Sequence, residues 1–125
     1  MRNRSSRSYK AANRYGLVQG TLDMLVLRAL TDGPKHGYGV MRFLRAASAD
    51  KLQIEEGALY PALHRMADRG WIESEWGVSE NNRRAKFYRT TARGRSHLDQ
   101  ETREWRRYVR MVDEVLGSQP VGGEV

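Results

Sequence analysis

The chain has 125 residues, with 22 lysines and arginines against 15 acids, giving a formal net charge of +7 and a sequence pI near 10.1. This fits one domain with a modest core, since hydrophobic residues make up 39% and a short chain buries a limited share of its surface. The absence of cysteine excludes disulfides, thiolate-held zinc, iron–sulfur clusters and thiol catalysis together, and no apolar run approaches the roughly 20 residues that span a bilayer. What remains is a cytosolic protein with a polyanionic partner.

Residues 1–16 hold Arg2, Arg4, Arg7, Lys10 and Arg14 with no acid. Rich in Ser and Asn and nearly free of aliphatic side chains, the segment predicts a flexible arm. Its readings stay open: a solvated tail, an arm entering a nucleic-acid groove, or, more remotely, a transit peptide. Next, Leu22, Leu25, Val26, Ala29 and Leu30 follow helical spacing. Thr21 is the expected N-cap, and Asp23 lies in the first turn, where the helix dipole favours a carboxylate. Met24 and Leu27 widen the apolar surface, so this helix is expected to be buried on two sides, the second against another subunit. Asp32-Gly33-Pro34 ends it.

A second helix is expected from about His36 to Ala47, with Tyr38, Val40, Met41, Leu44 and Ala47 facing inward. Gly37 and Gly39 are poor helix formers in its first turn, which implies a close backbone approach. They are no dinucleotide loop, because no strand precedes them and Arg42 stands where the third glycine belongs. A third helix starts near Glu55-Glu56 and runs to Arg69, with Leu59, Ala62, Leu63 and Met66 as its inner stripe and Gly70 as its stop. Pro61 suits a start near Ala58, which keeps it in the first turn; a start at Glu55 implies a kink or a tight turn. Glu55 and Glu56 read as first-turn caps rather than base contacts.

The segments 71–76 and 85–90 are β-rich and alternating, and the stretch between them is polar. They predict a β-hairpin with a basic tip. From Trp76 to His97 six bases stand against Glu80 alone, whereas 17–75 and 98–116 are nearly balanced. From Thr91 the helical pattern returns: Trp105, Tyr108, Val109, Val112 and Leu116 recur at i, i+3, i+4, i+7 and i+11. A flexible tail, 118–125, closes the chain. The predicted fold class is mainly α with a β-hairpin wing: a winged helix-turn-helix over 17–92, then a C-terminal helix over 93–117. In such a fold the third helix enters the major groove and the wing meets the backbone or minor groove.

The stretches GTLDMLVLRAL (20–30), GPKHGYGVMRFL (33–44), EEGALYPALHRMADRGWIESEW (55–76) and NNRRAKFYRTTARGR (81–95) resemble the PadR family of bacterial transcriptional regulators. The resemblance implies a winged-helix DNA-binding domain and a homodimer built by the C-terminal helix packing with the first helix across the two-fold. Members with one short C-terminal helix, as here, form a subgroup in which some sense planar aromatic compounds between subunits. The basic arm departs from a minimal member, and no role is carried over to it.

On this layout Gly57, Ala58, Tyr60, Pro61, His64 and Arg65 are directed toward DNA, with Tyr60 bonding a phosphate or packing on thymine methyls. His64 divides evenly between DNA contact and solvent. Arg83, Arg84 and Lys86 are the wing's phosphate contacts. Lys35 and His36, at the start of the second helix, can also meet a phosphate, while Tyr38 is assigned to the core. Met24, Trp105, Tyr108, Val109, Val112 and Leu116 form the dimer interface, where Trp105 is either a core aromatic or a platform for an aromatic effector. His36, His64 and His97 sit on three different elements without i, i+4 pairing, so no metal or cofactor is expected. Nothing resembles an activated nucleophile or a phosphate loop, so no enzyme is expected. The expected function is a cytoplasmic homodimeric repressor on a palindromic operator in double-stranded DNA, released by a small aromatic effector. The alternatives are a sequence-tolerant architectural DNA-binding protein using the same surfaces, and a module that docks an acidic protein.

Overall fold

The apolar stripes of the first three helices converge on one core. The computed structural model describes residues 19–117, so the expected arm and tail lie outside the described residues. In chain order come α1 (Gln19–Ala29), β1 (Lys35–His36), α2 (Gly37–Ala47), α3 (Glu56–Asp68), β2 (Ile72–Val78), β3 (Arg84–Thr90) and α4 (Ala92–Leu116). This is the winged helix-turn-helix order expected of the sequence, with one added strand. Leu22, Val26, Leu27 and Ala29 of the first helix, with Leu30 just past its end, meet Leu59, Ala62, Leu63 and Met66 of α3, with Val40 and Leu44 of α2 and Ile72 of β2 closing the core. Each stripe repeats every three to four residues, as a helix face requires.

The sheet is antiparallel in the order β1-β3-β2, with Lys35 opposite Tyr88 and Trp76 opposite Lys86. Two residues carry no readable period, which is why β1 reads from sequence as the start of a helix. His36 instead ends the strand and caps α2, its Nδ1 accepting the Gly39 N–H at 3.0 Å.

Four local expectations need correction. Thr21 is no N-cap, because α1 is already helical at Gln19, which also carries Asp23 past the first turn. The inner line of α2 is Gly37, Val40 and Leu44, so Tyr38, one position off that line, is 57% exposed, and Ala47 also faces solvent. Glu55 holds the N-cap position of α3 but makes no side-chain cap bond. Finally, α3 starts at Glu56, as expected near Glu55-Glu56, and not near Ala58, so Pro61 lies in its interior rather than in its first turn. The loss is one bond, to the Gly57 carbonyl; Gly57 and Pro61 are both exposed, so water can serve that oxygen.

The root of α4 is tied into the wing. Thr91 is its N-cap, accepting the Gly94 N–H at 3.0 Å while its hydroxyl donates to the Gly70 carbonyl at 2.7 Å. From there α4 packs along α1.

Candidate nucleic-acid interface

The outer face of α3 carries Gly57, Tyr60, Pro61 and His64, all exposed and spaced i, i+3, i+4 and i+7, so they form one surface. Ala58 is half-buried beside them. Among the described residues nothing lies within 4 Å of where a Gly57 side chain would begin, which leaves the backbone there open to an approaching partner. The Tyr60 ring lies across Gly37, where a Cβ would come within 2.7 Å of the ring carbon bearing the hydroxyl. That is the close approach which explains a glycine in the first turn of α2. The nearest neighbours of a Cβ at Gly39 are Lys35 and His36, at ordinary van der Waals distance.

Between α3 and the wing runs an open groove of about 300 Å³, lined by Gly37, Tyr38, Tyr60, Arg84, Lys86 and Tyr88 among others. Burial and the neighbouring Tyr60 push the Tyr88 hydroxyl above its usual pKa, so it stays a neutral donor there. Arg83, Arg84 and Lys86 are exposed. Pairing places Lys86 and Arg84 opposite Trp76 and Val78, and residues opposite one another share a face. The Arg84 guanidinium accordingly lies 4.4 Å from the Trp76 ring centroid and the Lys86 ammonium 5.8 Å away. Trp76 is 56% exposed and belongs to this surface, although its sequence context alone does not single it out. The signal it does carry is the strand alternation that places it beside the wing cations. The turn is closed by Ser79 N–H to the Arg83 carbonyl and Asn82 N–H to the Ser79 carbonyl, both at 2.8 Å. Asn82 takes φ 62, a conformation Asn tolerates better than most residues.

Three of the residues expected at the interface also have partners within the protein. The Lys35 ammonium donates to the Ala29 carbonyl at 2.7 Å and lies over the Phe43 ring, neutralising the end of α1. His36 is occupied at both nitrogens, by Gly39 and by Glu80. Arg65 turns inward to Asp23, 2.7 Å away and buried. Burial pushes the Asp23 carboxyl above its ordinary pKa, and Arg65 pulls against that shift.

Along the outer side of α4, Val109 and Val112 are half-buried, as is Met24 of α1, while Trp105, Tyr108 and Leu116 stand exposed. Met111 and Val115 are exposed as well, which widens the apolar strip beyond the expected residues. The Trp105 and Tyr108 rings are 6.0 Å apart. Of the three histidines, His97 stacks on Trp71 at 3.7 Å. Among the described residues no cluster of three or more His, Cys, Asp or Glu could hold a metal ion, and no helix is long and apolar enough to cross a membrane.

A model of the transcriptional regulator PadR-like family matches residues 26–100. Over 94 residues the chain is 33% identical to a transcriptional regulator of Mycobacterium tuberculosis, covering 75% of this chain and 81% of that one. A PadR family transcriptional regulator of Eggerthella lenta is similar in structure, with TM-score 0.69, 32% identity and coverage of 81% and 86%. A transcriptional regulator of Clostridium thermocellum gives TM-score 0.72 at 27% identity, over 79% of this chain and 96% of that one. The family is one of regulators rather than enzymes, and with three-fifths of the sequence inside its model, this chain belongs to the PadR-like family of transcriptional regulators.

Proposed function

We propose that the protein is a sequence-specific, DNA-binding transcriptional repressor that works as a homodimer. One observation carries this reading: the open face of α3 and the cationic wing flank the same groove. In a duplex, Gly57, Ala58, Tyr60, Pro61 and His64 meet base edges and the phosphates beside them, while Arg83, Arg84 and Lys86 hold the backbone and Trp76 packs on sugar. Two copies of α3 then enter successive major grooves, about 34–36 Å apart.

The test is a binding titration against a duplex that the protein itself selects from a random library, with unselected DNA as competitor. The double variant Arg84→Ala/Lys86→Ala is expected to weaken both duplexes alike and to flatten the salt dependence by about 0.9 for each phosphate no longer neutralised. An unchanged slope removes the wing from the interface. Equal affinity for selected and random DNA favours the architectural alternative.

The apolar strip of α4 supports the dimer, since exposed aromatic and aliphatic side chains in one line are what an interface core needs. In this reading Trp105 and Tyr108 hold a planar aromatic effector between subunits, and its binding releases the operator. Trp105→Ala is expected to weaken self-association by at least about 2 kcal/mol, roughly thirtyfold, in sedimentation equilibrium. An unchanged association constant moves the interface elsewhere. A tryptophan fluorescence that no planar aromatic compound alters would remove the effector role.

A further inference from the structure

Glu80 is out of place in the groove just described. It is the lone acid from Trp76 to His97, and it lines the groove together with Arg83, Arg84 and Lys86. A carboxylate facing phosphates opposes binding, so by charge alone the position is unfavourable. Yet both of its oxygens are occupied: Oε2 accepts from Arg42 at 2.9 Å, and Oε1 lies 3.3 Å from His36 Nε2. Its own backbone N–H first, then His36, hold its carboxyl below the usual range, so it is ionised throughout the neutral range.

The two partners belong to the other half of the site. His36 caps α2, and because its Nδ1 accepts the Gly39 N–H, the proton of the neutral ring must sit on Nε2, facing Glu80. Arg42 lies six residues further along α2 with its guanidinium over the Tyr38 ring, 5.1 Å from the centroid. Among the described residues, the other hydrogen bonds of the turn 79–83 stay within the turn itself. Glu80 therefore makes the polar link between the wing tip and the helices.

We propose that Glu80 is a positioning residue for DNA contact: it ties the wing turn to α2 and so holds Arg83, Arg84 and Lys86 on the side of the groove where α3 presents Tyr60 and His64. This rests on the DNA-binding reading. Among the described residues the turn has no second hydrogen-bonded tie to the helices. Removing this one lets the hairpin tip swing, and the three cations then meet the backbone less often.

The sign of one substitution tests it. Glu80→Ala removes a negative charge beside the DNA, so a purely electrostatic role predicts tighter binding to the selected duplex. Positioning predicts weaker binding, by about two- to fivefold, the range of an exposed ion pair. Glu80→Gln keeps one acceptor and is expected to recover part of the loss. Without DNA, amide exchange at Ser79 and Asn82 is expected to rise in Glu80→Ala and less in Glu80→Gln. Tighter binding by Glu80→Ala, or unchanged exchange in the turn, overturns the proposal. A wild-type chain that binds no duplex overturns the DNA reading instead, and the exchange comparison still decides whether Glu80 tethers the turn.

Discussion

Gly94→Ala is expected to destabilise the protein by about 3 kcal/mol, at the upper end of what overpacking costs. The usual effect of this change inside a helix is the reverse, a gain of up to about 1 kcal/mol from the lower backbone entropy of Ala. Here the new Cβ would lie inside contact distance of the Trp71 carbonyl oxygen and 2.5 Å from Thr90 Oγ1. The backbone carbonyl cannot give way cheaply. The Trp71 carbonyl accepts the Thr91 N–H at 3.0 Å and lies 3.1 Å from the Thr91 hydroxyl, the same hydroxyl that caps α4. Relief therefore means shifting the root of α4 from the start of β2, which loosens the cap together with the packing. Gly20→Ala is the control, because among the described residues nothing lies within 4 Å of its side-chain position. In thermal unfolding, Gly94→Ala is expected to lower Tm by about 10 °C or more, with Gly20→Ala at or above wild type. Equal midpoints for the two would mean that the α4 root yields more freely than its hydrogen bonds imply.

That junction also marks where the sequence becomes hard to read. Leu59, Ala62, Leu63 and Met66 form an inner stripe legible without coordinates, because burial follows the 3.6-residue period of one helix and each element announces its own inner face. The order of helices and hairpin follows from the same local signals. Tyr60 and His64 could be placed on the outer face of α3 simply because the stripe left them over, and both are exposed. What escaped are pairings between distant segments. His36 meets Glu80 across 44 positions, and Asp23 meets Arg65 across 42. An aspartate early in a helix and an arginine late in another each have an ordinary local explanation, as dipole partner and as DNA contact, and local chemistry favours it. The two-residue strand Lys35–His36 escaped for a related reason: its identity comes from its partners Tyr88 and Phe87, not from its own residues. Trp76 shows the intermediate case. Its strand was legible, but the cations over its ring follow from the register of the hairpin.

Arg65→Ala is expected to cost about 3 kcal/mol near neutral pH, through the carboxylate it leaves behind rather than through DNA contact. The Asp23 side chain is 4% exposed and the Arg65 side chain 27%, so removing Arg65 strands a buried charge. Breaking such a pair from one side costs about 3–5 kcal/mol, and the partial exposure of Arg65 favours the low end. Even in the intact pair, desolvation keeps the Asp23 pKa above its ordinary 3.8. Without Arg65, the hydrogen bond and the attraction that opposed this are gone, so the folded-state value rises further. A carboxyl whose folded pKa is raised binds its proton more tightly in the native state than in the unfolded chain. The stability this contributes is fully present below the unfolded value and is lost as pH rises through the folded value. The deficit of Arg65→Ala relative to wild type should therefore shrink as pH falls from neutral toward 4. Asp23→Asn separates charge from packing: in that background nothing is left ionised, and Arg65→Ala should cost clearly less than in the parent chain. Urea denaturation of the four proteins at two pH values measures the cycle. Equal costs of Arg65→Ala in both backgrounds, or a deficit that does not change with pH, would mean that Arg65 stabilises α3 by packing alone.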